Sequence, residues 1–127
     1  MSVTKLQYSS ATQITITLNN LANSSARQSA VVDNTTNLYL DALVGGSLKT
    51  TTGSLSTPAI INIYVYALTD GTNYSGGASG SDASYTMTTN RNMALLASIP
   101  INTANTVEYF SPRSVASCFG STLPAKW

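Results

Sequence analysis

A chain of 127 residues with 43% hydrophobic residues is long enough for one core, so the sequence predicts a single domain over residues 1–127. Only 9% of the residues are charged, the net charge is +1 and the six basic residues are dispersed, which argues against nucleic-acid binding. The absence of histidine and the presence of one cysteine exclude Ser-His-Asp and Cys-His catalysis and any intrachain disulfide.

Targeting signals are the next feature of the composition. The N-terminal stretch from Met1 to Lys5 lacks the apolar segment of a signal peptide, and no window approaches 18 consecutive apolar residues. We therefore expect no membrane association and synthesis in a cell's cytoplasm.

Apolar and polar residues alternate with a period of two along most of the chain, which predicts β-strands. In chain order the predicted strands are residues 12–18, 27–32, 37–44, 59–68, 92–99 and 103–110, with weaker candidates at 3–8 and 85–89. The predicted core residues on these strands are Ile14, Ile16, Leu38, Leu40, Ile61, Ile63 and Val65.

Turn-forming residues separate the predicted strands. Asn19-Asn20, Gly45-Gly46 and Asp70-Gly71 are typical turn pairs, and the strands recur about every 8–12 residues. This spacing predicts an all-β fold, an antiparallel β-sandwich or jelly roll of about eight strands. One short helix is predicted near residues 112–119, because Pro112 stands near its start and Gly120 at its end.

Residues 70–84 form a long segment of Gly, Ser and Asp. Loops of this length are usually functional or mobile, so we expect a surface loop whose order depends on a neighbour, the alternative being a flexible hairpin tip. Asp70, Asn73 and Asp82 offer oxygens to Ca²⁺, and residues 76–82 resemble a stretched G-G-x-G-x-D calcium repeat. Because the repeat is imperfect and occurs once, a flexible loop is favoured and no metal site is predicted.

The sequence offers little support for catalytic groups. The five acidic residues are scattered and form no local pattern of paired carboxylates, although folding can bring distant acids together. Cys118 stands among Val115, Ala116 and Phe119 and is interpreted as a small buried hydrophobic residue. We therefore predict no catalytic, cofactor-binding or metal-binding residues and a protein that is not an enzyme.

Aromatic residues are the candidates for binding. Tyr64 and Tyr66 share one face of a predicted strand, and Tyr74 and Tyr85 flank the long loop. Amphipathic aromatic side chains suit protein contacts and sugar stacking alike, the alternative being that they line the sheet or close its core. The predicted interface residues are Tyr64, Tyr66, Tyr74, Tyr85 and Trp127.

Three strings of the sequence resemble a group of small tailed-bacteriophage virion proteins: ARQS to VDNTTNLY over 26–39, IYVYA over 63–67, and SVASCFG to LPAKW over 114–127. The resemblance implies a capsid decoration (cement) protein that lies on the outer surface of the virion. It implies the major capsid protein as partner and a homo-oligomer, a trimer or dimer. Chains of this type continue beyond the Lys-Trp pair with another apolar strand, so we expect that either this chain is shortened or contact with a neighbour replaces its last strand. In this setting we expect Trp127 to be buried or shared.

Three other functions stay open at this point. The chain is alternatively a tail, head-fibre or coat component of a virion. It is alternatively a carbohydrate-binding β-sandwich module that uses Tyr64, Tyr66 and Tyr74. An enzyme is the remaining alternative, because the positions of five acids cannot be worked out from sequence alone.

Overall fold

The computed structural model describes residues 9–51, 55, 59–87 and 92–127. These ranges contain six strands and two 3-10 helices, and the all-β prediction is confirmed. The strands are β1 (Ala26–Gln28), β2 (Leu43–Lys49), β3 (Ala59–Val65), β4 (Ala83–Tyr85), β5 (Ala94–Ile101) and β6 (Val107–Ser114). The 3-10 helices are Ser75–Gly77 and Ala116–Phe119. About eight strands were predicted, and the weak candidate at 3–8 lies outside the described residues.

The described strands form three two-stranded antiparallel sheets: β1 with β4, β2 with β6, and β3 with β5. The β3–β5 ladder runs from Ala59 opposite Ile101 to Val65 opposite Ala94, and an irregularity between Ile63 and Tyr64 shifts its register. No described strand is paired on both edges, because each sheet has only two strands.

Strand β3 follows the sequence prediction most closely. Ile61 and Ile63 are half-buried and Val65 is buried, whereas Ile60 on the opposite face is 56% exposed. β-Branched residues fill this strand and favour extended backbone, and their alternation gives it one face toward the core. The predicted inward face of β3 is confirmed.

The core lies largely on the C-terminal part of the chain. Its buried residues are Val65, Ala67, Leu96, Val115, Ala116, Leu123 and Trp127. The side chain of Val115 has no exposed area, and Ile14, Val44 and Phe119 are among the partly buried residues packed against the cluster. Four of the seven buried residues therefore come from residues 115–127.

The last residues pair with two distant segments. The backbone N–H of Trp127 donates to the Val32 carbonyl (3.1 Å), and the Val32 N–H donates to the Trp127 carbonyl (2.6 Å). On the other side, the Leu68 N–H donates to the Lys126 carbonyl (3.0 Å). Because these bonds hold the segment on both sides, the Trp127 ring enters the core and only 9% of the residue is exposed. Of the two expectations for Trp127, burial or sharing with a neighbour, the structure shows burial within this chain.

The predicted strand at 37–44 is wrong, since the strand in this region begins only at Leu43. The side chain of the buried Asn34 accepts from the Tyr39 N–H (2.8 Å) and donates to the Tyr39 carbonyl (3.0 Å). These bonds hold residues 34–39 in a turn and place Leu38 in the left-handed region (φ 51°). Leu38 and Leu40 are 70% and 77% exposed, so their assignment to the core is corrected.

The predicted helix near 112–119 is corrected to the 3-10 helix Ala116–Phe119, because residues up to Ser114 belong to β6. Ser114 pairs with Leu43, and Gly120 ends the 3-10 helix in the left-handed conformation (φ 73°). The strand predicted at 103–110 is accordingly displaced toward the C-terminus.

Three other predicted strands also changed. The strand at 27–32 is reduced to β1, and the weak candidate at 85–89 is replaced by β4. Residues 12–18 form no ladder among the described residues, although the Ala30 N–H donates to the Thr15 carbonyl (2.8 Å) and Ile14 packs against the core.

Candidate interaction surface

The β2–β6 ribbon has one face toward the core and one toward solvent. On β2, Val44 and Leu48 are half-buried, whereas Leu43, Ser47 and Lys49 at the alternate positions are exposed. Because side chains alternate along a strand, the exposed residues share the outer face.

The register of the ladder carries this outer face onto β6. Tyr109 lies opposite Ser47 and Val107 opposite Lys49, so both belong to the outer face. Tyr109 is 80% exposed and Val107 is 39% exposed. The intervening Glu108 is half-buried, in agreement with the alternation.

Pro112 extends the outer face across the glycine pair of β2. The register is irregular between Val44 and Gly46, and the extra residue of β6 in this bulge lies among residues 111–112. A Cβ on Gly45 would stand 3.0 Å from the Cα and 3.1 Å from the Cγ of Pro112, so the proline ring covers this glycine. Gly45 occupies an outward position of the alternation, which places the ring between Leu43 and Tyr109.

We call Leu43, Pro112, Tyr109 and Val107 the apolar stripe. A whole aromatic side chain presents about 150–250 Å², so Tyr109 alone offers roughly 150 Å². The residues Leu38, Tyr39 and Leu40, which precede Leu43 in the chain, are also exposed. Exposed apolar patches of a few hundred Å² on a small protein commonly mark an interaction site. Sequence reasoning missed the stripe, although the alternation of Val107 and Tyr109 within a predicted strand was a usable signal.

Four of the five predicted interface residues lie beside the long loop or are buried. Tyr66 is 7% exposed and its hydroxyl donates to the Ser29 carbonyl (2.8 Å), while burial raises the pKa of this phenol. The Tyr74 ring packs edge-to-face on Tyr66, with centroids 5.5 Å apart and planes at 89°. The Tyr85 hydroxyl donates to the Gly76 carbonyl. Trp127 is buried as described above.

The fifth, Tyr64, is half-buried in β3 opposite Leu95. The structure therefore brings Tyr66 and Tyr74 together and leaves Tyr66 and Trp127 little area for a partner. Contact of the five residues with a partner stays a prediction, and Tyr64, Tyr74 and Tyr85 retain partial exposure for it.

The segment 70–84 is held by this chain's own residues. Asp70 accepts from the backbone N–H groups of Thr72 (2.9 Å) and Asn73 (2.6 Å), and the hydrogen bonds from Asn73 lower the pKa of Asp70 to about 2. The side chain of Gln28 in β1 accepts from the Ser79 N–H (2.9 Å) and donates to the Ser79 hydroxyl (2.6 Å). The sequence predicted a loop ordered by a neighbour, and the structure shows these anchors within the chain.

Asp82 ends this segment in a charged network. Its carboxylate accepts from Arg27 Nε (2.6 Å), from the Thr17 hydroxyl (2.5 Å) and from the Thr17 N–H (3.1 Å). The hydrogen bond from Arg27, followed by that from Thr17, lowers the pKa of Asp82 to about 2. Asp82 is thereby committed to Arg27 and Thr17, and no group of three acidic or cysteine residues suited to a metal occurs in the part of the chain that is described.

Comparisons with known proteins assign this chain to no family. The chain matches no protein-family model, and no curated protein or solved structure is significantly similar to it. Within the described ranges, no helix combines the length and the apolar character that a membrane crossing requires.

Proposed function

We propose that this chain is a structural virion protein that binds the outer capsid surface through the apolar stripe and reinforces the shell. The observation that carries the proposal is the outward-facing row of Leu43, Pro112, Tyr109 and Val107 on a ribbon whose other face contacts the core. Tyrosine is enriched at protein interfaces, and an exposed aromatic flanked by aliphatic residues is typical of an anchor.

Two prolines within the strands favour a partner that docks on the face of a sheet over a partner that adds a strand to the edge of a sheet. Pro100 stands in β5 and Pro112 in β6, and proline is confined to edge strands or bulges because it lacks the N–H donor. A proline on a strand edge interrupts the hydrogen bonds that another chain would add. We therefore propose contact through side chains of the outer face.

The capsid as partner rests on the resemblance of residues 26–39, 63–67 and 114–127 to small tailed-phage virion proteins. A protein that carries 9% charged residues repels copies of itself weakly, which suits dense packing on a repeated surface. The proposal includes a homo-oligomer, a trimer or dimer, and the major capsid protein as partner. It also includes closure of the three strand pairs around the common core into a β-sandwich.

The experiment adds purified chain to undecorated capsids and measures co-sedimentation and occupancy by cryo-electron microscopy. Tyr109→Ser is expected to lower capsid affinity by at least tenfold, because truncation of a central aromatic anchor commonly costs about 2 kcal/mol or more. Ile60→Ser is the matched control, since it makes the same kind of change at an exposed residue on the β3–β5 sheet. Its affinity should remain within twofold.

Three results would contradict the proposal. Absence of the chain from the shell at saturating concentration removes the capsid surface as the binding site. Density in the tail, in head fibres or in the coat itself moves the protein to one of these other virion positions. Equal losses for Tyr109→Ser and Ile60→Ser show that the apolar stripe is not the contact.

A further inference from the structure

A groove of about 260 Å³ lies between residues 17–27 and Ser84 of β4, on residues that the proposed capsid contact does not use. Its wall combines amide and hydroxyl side chains with aliphatic ones. They include Asn19, Asn20, Ser25, Ser84, Leu21 and Ala26. The volume is below the ~300–1,000 Å³ of pockets for drug-sized ligands, so the groove accommodates a single small ring.

Residues 17–27 supply most of the groove lining, and the carboxylate of Asp82 holds both ends of this segment. Asp82 accepts from both the N–H and the hydroxyl of Thr17 and from Nε of Arg27, and both Thr17 and Arg27 line the groove. The side chains of Arg27 and Asp82 are only 27% and 18% exposed. Because these contacts hold Thr17 and Arg27 in place, this part of the groove wall is already formed before a ligand binds, which lowers the entropic cost of binding.

The rim of the groove is a tight double turn. The Leu21 N–H donates to the Leu18 carbonyl (3.2 Å) and the Ser25 N–H to the Ala22 carbonyl (3.2 Å). Asn20 and Ser24 adopt the left-handed conformation, with φ of 60° and 59°. Positive φ is uncommon in residues other than glycine, and such backbone strain concentrates at ligand sites.

The charges and hydrogen-bonding groups of the groove define its ligand. The guanidinium of Arg27 is neutralised by Asp82 at 2.6 Å, so the groove offers no net charge to an anion. The amides of Asn19 and Asn20 each donate and accept, which matches adjacent hydroxyl groups that also do both. Leu21 and Ala26 supply apolar surface for the C–H face of a ring.

We propose that this groove binds one neutral sugar residue of a glycan. Affinity is expected to be weak, with a Kd on the order of 1–10 mM, because a single sugar ring has few atoms to contribute. The site is independent of the apolar stripe, so failure of either proposal leaves the other standing.

The test titrates the isotope-labelled full chain with methyl glycosides of glucose, galactose, mannose and N-acetylglucosamine, followed by NMR. Saturable shifts are expected at the amides of residues 17–27 and 84 for at least one of these neutral sugars. Ser25→Tyr places a large ring in the groove and should weaken binding at least tenfold. Asn23→Ala, in the same loop but outside the groove lining, is the matched control and should bind within twofold.

Four outcomes would overturn the proposal. They are no saturable shift up to about 50 mM of any neutral sugar, tighter binding of glucuronate or of an uncharged tripeptide titrated in parallel, and undiminished binding by Ser25→Tyr. Should Ser25→Tyr fail to fold, Asn19→Ala replaces it and is expected to weaken binding about fivefold to tenfold, as for loss of one polar contact. Undiminished binding by a folded Asn19→Ala would then refute the site.

Discussion

The substitution Val115→Ala tests the position of the core. Val115 has no exposed area and lies just before the 3-10 helix, where its N–H donates to the Ala42 carbonyl (2.9 Å). Loss of two buried carbon groups costs about 1.6 kcal/mol at ~0.8 kcal/mol each. A residual cavity of roughly 40 Å³ adds about 1 kcal/mol at ~24 cal/mol per Å³. We expect the free energy of unfolding to fall by about 2.5 kcal/mol.

This change is large enough to measure in two ways. At about 2.1 cal/mol/K per residue, the entropy of unfolding of this chain is roughly 270 cal/mol/K, so Tm should fall by about 9 °C. Urea unfolding followed by circular dichroism and by Trp127 fluorescence should show a lower midpoint with an unchanged slope. Coincidence of the two signals would show that the C-terminal segment unfolds together with the strands.

Val107→Ala is the matched control for this prediction. It makes the same change of side chain in β6, where the residue is 39% exposed on the outer face. Surface substitutions usually change stability by less than about 0.5 kcal/mol. A loss below about 1 kcal/mol for Val115→Ala, or equal losses for the two variants, would refute the assignment of Val115 to the centre of the core.

Three further predictions concern single contacts. Ile63→Ala should lower the free energy of unfolding, measured in urea, by about 2 kcal/mol, and Ile60→Ala should lower it by less than about 0.5 kcal/mol. Equal losses would contradict the assignment of Ile63 to the inward face of β3. Asn34→Ala should cost about 1–3 kcal/mol because the Tyr39 backbone loses both partners, whereas the exposed Asn37→Ala should be neutral; similar values would discount the turn. The pKa of Asp82 is about 2 in the folded chain and about 3.8 unfolded, so its stabilisation is present above about pH 4 and is lost toward pH 2. Asp82→Asn should therefore flatten the acid side of a Tm–pH profile, and an unchanged profile would contradict the network.

Strands with a complete local pattern could be predicted from the sequence. The alternation of Ile61, Ile63 and Val65 specified both the extended backbone and the buried face of β3, because neighbouring residues alone determine that pattern. The same alternation failed at Leu38 and Leu40. There the amide of Asn34 satisfies the backbone of Tyr39, a competing local bond that hydrophobic periodicity does not include.

The core and the candidate surface depended on pairings that sequence periodicity cannot supply. Trp127 is buried because its backbone bonds to Val32, which is distant in sequence. The outward position of Tyr109 follows from its register opposite Ser47, and the role of Pro112 follows from a bulge against Gly45. Long-range register is set by tertiary packing, so the contacts of these residues were known only from the sheets, although the resemblance suggested burial of Trp127 and the alternation of Val107 and Tyr109 was a local signal.

One face of the β2–β6 ribbon packs on the core and the other is exposed, and for this reason a partner is expected on the outer face. Two-stranded ribbons are marginally stable unless one face packs on other structure, and here Val44 provides that contact with the core. Further burial of the outer face brings Tyr109 and Leu43 out of water without disturbing the core. Because the core contacts one face and the proposed docking uses the other, substitutions in the apolar stripe should weaken docking while leaving unfolding nearly unchanged. A loss of stability in Tyr109→Ser as large as that in Val115→Ala would show that the two faces are not separate.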